Sequence, residues 1–267
     1  MKHIWLIPGL LLCSLPLLAN ENGASTTAWL GLSATSFDYE EFSDTGDSLD
    51  REEGWLPGVQ AGLARDYGRW FVEAGLQWSS GEADYSSPQA DSTTDEDIRN
   101  LELLAGIPWR STGRQRASVV AGLGYREWRR DIRSTASANG LDETYRWGYG
   151  VLGLRGEQQF DAGTRAVLDL QLIRTINPDI KVHFDNTYDD VRLDLGAETG
   201  YRVNLRFDRK LDANKSFWLS PWYEYWELGR SADSVLTSNG TPAGTVFEPR
   251  SETSNFGITM GVTWILD

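Results

Sequence analysis

Near the end of the chain Phe256, Ile258, Met260, Val262, Trp264 and Leu266 alternate with Gly257, Thr259, Gly261 and Thr263. This period of two constrains the fold more than any other feature. It places large apolar side chains on one face of an extended strand and small or polar ones on the other. Only Ile265 breaks the pattern. The alternation recurs along the chain, so the sequence describes an all-β protein built from about ten strands.

The N-terminus supplies the compartment. Lys2 and His3 precede an apolar run from Ile4 to Leu18 that is interrupted by Pro8 and Pro16. It is too short to span a bilayer and reads as a secretory signal peptide, residues 1–19, with cleavage expected after Ala19. Residues 20–267 then form one domain. Cys13, the one cysteine, falls inside the signal, and Leu12 stands where a lipoprotein signal needs a small residue. The mature chain therefore has neither a disulfide framework nor a thiolate metal site, and no cofactor motif is present. A formal charge of -14 argues against nucleic acid as a partner. Past the signal no apolar run approaches the roughly 20 residues of a membrane helix. A mean hydropathy of -0.42 is still compatible with a barrel, because only alternate residues of a barrel strand meet lipid.

The terminal residues Thr259-x-Gly261-x-x-Trp264-x-Leu266 resemble the insertion signal of bacterial outer-membrane β-barrel proteins: a polar residue, a glycine, then two large apolar residues. The chain ends in Asp267, where many members of that group carry an aromatic residue. The resemblance implies an antiparallel transmembrane barrel in the outer membrane of a Gram-negative cell. It also implies outer-membrane lipid as surroundings and the barrel-assembly machinery as a partner during insertion.

Apolar faces locate the strands. The first carries Ala28, Leu30, Leu32 and Ala34, the second Val59, Ala61 and Leu63, and the third Trp70, Val72, Ala74, Leu76 and Trp78. The fourth and fifth carry Leu101 to Ile107 and Ala117 to Tyr125 in the same alternation. In the sixth, Tyr149 and Val151 are in one phase and Leu152 and Leu154 in the other, which signals a bulge and leaves its faces unassigned. The seventh carries Ala166, Leu168, Leu170 and Leu172. The eighth reads as one unusually long strand, Val191 to Phe207, with Val191, Leu193 and Leu195 outward and Arg192, Asp194 and Glu198 inward. The ninth carries Phe217, Leu219, Pro221, Tyr223 and Tyr225. Long segments (38–54, 80–97, 129–144, 177–189 and 229–252) alternate with short turns, and in such barrels long loops are extracellular and short turns periplasmic. Trp70, Trp78, Tyr125, Phe207, Phe217, Tyr225 and Trp264 fall where interfacial aromatic girdles belong.

Inward positions are crowded and charged: Glu73, Glu102, Arg126, Asp169, Arg192, Asp194, Glu198, Arg202 and Glu224, with Trp222 and Trp226. Buried charges are tolerated when paired, so these residues predict a salt-bridged filling of a narrow lumen. Arg126, Arg129, Arg130 and Arg133 cluster at the top of the fifth strand, and guanidinium groups grip phosphate in bidentate fashion, which makes lipopolysaccharide a candidate partner. The first long segment holds Asp38, Glu40, Glu41, Asp44, Asp47, Asp50, Glu52 and Glu53 against Arg51 alone, and reads as a solvated acidic loop.

His183, the one histidine beyond the signal, lies in the fourth long segment, in a placement similar to the histidine of omptins, the ten-stranded outer-membrane proteases. Glu82 and Asp84 stand where the omptins' paired aspartates would be mimicked. The local motif differs, since Lys181 occupies the position of the omptin aspartate two residues before the histidine and Asp185 lies on its far side. No catalytic, cofactor or metal residue is assigned. The expected function is a non-enzymatic surface scaffold or binding protein acting through extracellular loops on an unknown ligand, with a narrow porin-like channel and an omptin-like protease as alternatives.

Overall fold

The computed structural model describes residues 24–136, 138–184 and 187–266. The expected signal peptide, Asp185 and Asp267 lie outside the described residues. The elements are β1 (Ser25–Phe42), β2 (Ser48–Asp66), β3 (Phe71–Ser86), β4 (Asp91–Ser111), β5 (Gln115–Ile132), β6 (Leu141–Gln159) and β7 (Thr164–His183), followed by β8 (Val191–Asp194), β9 (Gly196–Ala197), β10 (Thr199–Lys210), β11 (Lys215–Gly229), β12 (Ser234–Ser238), β13 (Thr241–Val246) and β14 (Arg250–Ile265). Each strand pairs antiparallel with its neighbours. β14 pairs with both β11 and β1, and β10 with both β7 and β11, which closes the sheet on itself. With β8, β9 and β10 forming one interrupted stave, this is a closed up-and-down barrel of ten staves.

The outer surface explains why alternation produced a barrel. Leu32, Leu76, Leu103, Leu123, Leu152 and Met260 are all at least half exposed on it. They share one belt with their counterparts on the other strands, and an exposed apolar belt of that kind is stable against hydrocarbon rather than water. Trp78 and Tyr125 border the belt on the side of the long connections, here termed the loop end. Trp70, Phe207 and Phe217 border it on the other side, the turn end, and all five rings are exposed.

The strands run well past this belt. The 18 residues of β1 extend about 60 Å at roughly 3.3 Å per residue, or about 45 Å along the axis at a tilt near 40°, against a belt of about 25 Å. Most of what the sequence reads as long loops is therefore barrel wall. β1 and β2 stay paired to Phe42 and Ser48, and β3 and β4 to Ser86 and Asp91. On this extension the outward residues become charged, as with Asp38, Arg51, Asp97, Arg99 and Arg129.

Two strand expectations are corrected. β6 keeps one phase throughout: Trp147, Tyr149 and Val151 are buried inside while Leu152 and Leu154 are exposed outside. Its two apolar faces arise because it serves both an internal core and the outer belt. The irregularity lies between β6 and β7, where register shifts between Arg146 and Gly148, beside Asn177 with φ 47°.

The long eighth strand is broken at Leu195 and Glu198, opposite the same bulge. Pro178 has no N–H for the ladder, and instead its carbonyl accepts from Leu195 N–H at 2.8 Å while Thr175 Oγ1 accepts from Glu198 N–H at 2.7 Å. The break inverts the phase. Leu193 and Leu195 point inward and are buried, whereas Arg192 and Asp194 face solvent.

Inside, glycines make room for rings. A Cβ on Gly124 would lie 2.1 Å from the Tyr149 ring of its register partner, and one on Gly62 would lie 2.1 Å from Trp29, also directly opposite. Phe71 over Gly106 and Trp222 over Gly257 repeat the arrangement.

Candidate functional site

The lumen is divided along its length. In the loop-end half, Phe37, Tyr39, Leu56, Trp128, Tyr145 and Trp226 belong to one buried hydrophobic cluster. Trp128 stacks on Tyr145 at 4.8 Å and meets Tyr39 edge-on at 5.0 Å. In the turn-end half the interior is polar and hollow: a 500 Å³ cavity lined by Trp29, Glu73, Arg155, Asp169 and Arg206 adjoins one of 170 Å³ beneath Glu102, Arg202 and Glu224. The aromatic cluster lies on the loop side of this space.

Charges in the polar half are paired, as the sequence predicts. Arg155 binds Glu73 and Asp169, its Nε lying 2.7 Å from Asp169 Oδ1. Arg202 donates to Glu102 at 2.9 Å and to Glu224 at 2.8 Å, and Arg126 completes the set at 2.5 Å from Glu224. Glu73, Glu102, Arg126, Asp169, Arg202, Glu224 and Trp222 take part in this interior, and Trp226 belongs to the aromatic cluster beside it. Arg192 does not; it lies outside, paired with Asp179 at 2.9 Å. Glu198 is 3.6 Å from Arg174 in an exposed pair.

At the loop end, inside the projecting wall, a second charged cluster surrounds Arg130. β4, β5 and β6 place Glu96, Arg130 and Glu143 in one cross-strand row, and β1 and β2 place Glu41 directly opposite Asp50. Arg130, fully buried, donates to Glu143 at 2.9 Å, Tyr145 at 3.0 Å, Tyr39 at 3.2 Å and Glu41 at 3.3 Å from Nη1, and to Glu52 at 3.0 Å from Nη2. Thr94 donates to Glu52 at 2.6 Å, and the Trp128 indole to Glu96. Glu248, from the segment after β13, accepts from Tyr145.

Six carboxyl groups thus face one guanidinium. Burial dominates the titration of four of them. It pushes Glu143 up to about 7 and Asp50 up to about 8, the latter helped by Glu41, and holds Glu96 and Glu248 well above the carboxylate range. For Glu52 burial is outweighed by Arg130 and by hydrogen bonds from its neighbours, so its carboxyl is held low. Arg130 itself is held well above its usual value, the surrounding acids overcoming its burial.

Sequence reasoning assigned Glu41, Asp50 and Glu52 to a solvated loop and did not single out Glu96, Glu143 or Glu248. The signal was present in the phase: Phe37, Tyr39 and Glu41 continue the lumen face of Trp29 to Thr35, and Trp128 and Arg130 that of Arg126.

The arginine quartet of β5 is also divided. Arg126 and Arg130 point inward and are buried, so the four do not form one phosphate-binding patch. Arg133 is tied to Glu82 and Asp95. The outer wall assembles a different group. Arg99, Arg129 and Arg146 converge on Glu127, with Arg129 at 2.8 Å and Arg146 at 3.0 Å, and Arg99 also meets Asp97 at 2.9 Å. Trp78 donates to Asp97 at 2.8 Å, which fixes this group at the loop-end border of the apolar belt.

His183 is 2.5 Å from Asp190, which also binds Lys181 at 2.6 Å. His183 and Lys181 lie on the outer side of β7, and Glu82 and Asp84 on the outer side of β3, with β4, β5 and β6 between them. The wall does not bring the histidine to these acids.

Comparison with solved structures agrees with this architecture. The outer membrane protease OmpT from Escherichia coli superposes with a TM-score of 0.63 at 11% identity, covering 91% of this chain and 97% of that one. The chain has the outer-membrane β-barrel fold. The translocator domain of the autotransporter NalP from Neisseria meningitidis matches with a TM-score of 0.44 at 11% identity over 90% of this chain and 88% of that one. The toluene transporter TbuX from Ralstonia pickettii matches with 0.38 at 9% over 90% and 89%. No known family profile matches the sequence, and no curated protein is significantly similar to it.

Proposed function

We propose that this protein is a non-conducting, non-enzymatic barrel of the bacterial outer membrane, its loop end outside the cell, which acts as a rigid surface scaffold. One observation carries the reading: a packed aromatic cluster from Phe37 to Trp226 occupies the loop-end half of the lumen, while the wall extends far beyond the belt and presents charged surface. A channel needs a continuous wet path, and a hydrolase needs a convergent set of acid, base and nucleophile. The interior offers paired charges around a cavity instead, and the rim disperses His183, Glu82 and Asp84 around the wall. Single-channel recording in planar bilayers tests this reading. Silence is expected, and stable conductance steps would overturn it.

The outer wall favours a partner. Arg99, Arg129 and Arg146 outnumber Glu127 and Asp97 in their group and lie just above the apolar belt, at the depth of outer-leaflet headgroups. Guanidinium groups so placed suit the phosphates of lipopolysaccharide. Replacing all three with alanine is expected to reduce co-purified lipopolysaccharide by more than half, whereas replacing Arg126 is expected to leave it unchanged. Unaltered retention in the triple variant counts against the contact.

A further inference from the structure

The segment 230–249, between β11 and β14, folds over the loop-end mouth and is held at three points. Arg230 Nε lies 3.3 Å from Asp44 of the first connection. The hairpin β12–β13 is gripped by Asp189, which accepts from Thr237 at 2.6 Å, Gly240 N–H at 2.9 Å and Asn239 N–H at 3.1 Å. The third point is the only one of these inside the barrel. Glu248, buried, accepts from Tyr145, and its backbone exchanges hydrogen bonds with Ser231, from Ser231 N–H at 3.0 Å and to Ser231 Oγ at 2.8 Å. The carboxylate end of this anchor enters a chamber that already holds an excess of acids.

The groups facing the chamber are Tyr39 and Glu41 from β1, Asp50 and Glu52 from β2, Tyr85 from β3, Glu96 from β4, Arg130 from β5, Glu143 and Tyr145 from β6, and Glu248 itself. Tyr85 donates to Asp50 at 3.2 Å. Glu52 and Glu96 face one another, and each keeps one inaccessible oxygen, Glu52 Oε2 and Glu96 Oε1, with no donor from any other residue. Two carboxyls so placed cannot both be ionised and share a proton. One guanidinium offsets at most one of the remaining charges fully. Protons on the carboxyls neutralise the rest.

We propose that segment 230–249 is a lid latched by protons: Glu248 stays docked on Tyr145 while Asp50, Glu96 and Glu143 beside Arg130 retain theirs, and the lid lifts when they lose them. The sign follows from linkage. Carboxyls raised in the closed state favour it at low pH and cease to do so as pH rises through about 7 for Glu143 and about 8 for Asp50. Glu52, held low, opposes this only in acid. The latch therefore holds at mildly acidic pH and releases in mild alkali.

Hydrogen exchange of peptides covering 231–249, in the folded, detergent-solubilised protein from pH 6 to 9 and corrected for intrinsic rates, tests the latch. In the wild type, protection is expected to fall about tenfold or more across that range, about tenfold per pH unit for each group titrated. In Glu248→Gln, which is neutral throughout, protection is expected to persist to pH 9. In Asp50→Asn, which removes one like charge beside Glu41, the loss should move to higher pH. Protection independent of pH in the wild type overturns the proposal. So does a Glu248→Gln lid that opens along with the wild type, or is already unprotected at pH 6 in a barrel that still shows its folded gel mobility.

Discussion

Arg130 and Arg129 are adjacent in sequence and opposite in environment. Arg130 has no exposed surface and serves Glu52, Glu143 and Glu41, whereas Arg129 is half exposed and meets Glu127 at the surface. Removing one partner of a buried charge network leaves the others uncompensated, at about 3–5 kcal/mol, while an exposed pair contributes about 0–1 kcal/mol. Arg130→Met is therefore expected to lower the urea midpoint of the refolded barrel sharply, and Arg129→Met to leave it nearly unchanged, with tryptophan emission reporting unfolding. Equal effects would mean that the inner cluster is not the energetic centre of the loop end. The distinction follows from the period of two, since consecutive residues of a strand face opposite sides of the wall. Arg126 and Arg130 therefore face the lumen while Arg129 and Arg133 are exposed, although the four are close in sequence.

At the scale of elements, the staves carry the structure and the hairpin β12–β13 does not. β14 is paired along its length with both β1 and β11, whereas the hairpin forms a separate two-stranded sheet held by Asp189 and the chain around it. Replacing 234–246 with a short glycine-serine linker is expected to leave the folded, heat-modifiable form intact. Loss of that form would show that the hairpin supports the wall. The same contrast accounts for what was legible in the elements. Strands with one apolar face, such as β3, β5 and β14, were read correctly because lipid and lumen impose opposite chemistry on their faces. β6 and β8 defeated that reading. Where the wall leaves the belt, its apolar face turns inward to the aromatic cluster, so the rule linking apolar to outward reverses within one strand.

For the whole molecule, closure leaves no unpaired edge in the belt, and every wall strand hydrogen-bonds on both sides there. Detergent cannot begin to unzip such a sheet from an edge. The unboiled protein is expected to migrate faster than the boiled form on a denaturing gel, and a single unshifted band would contradict the closed barrel. The loop-end half holds packed rings around Arg130 and its acids, and the turn-end half holds paired charges around a cavity, which gives one barrel two interiors.

The alternation of apolar and small residues, together with the N-terminal apolar segment and the terminal Thr259–Leu266 pattern, pointed without any tertiary information to a barrel of about ten antiparallel strands, with Glu73, Glu102, Arg202 and Glu224 inside and a belt outside. Those features depend on each strand alone, because a single residue's parity decides which face it occupies. The tertiary structure decided the rest: that supposed loops are wall, that Leu193 and Leu195 turn inward past the break opposite Pro178, and that acids from β1, β2, β4, β6 and the 230–249 segment meet at Arg130. Each depends on how distant strands register against one another, and register is a property of the closed sheet rather than of any segment within it.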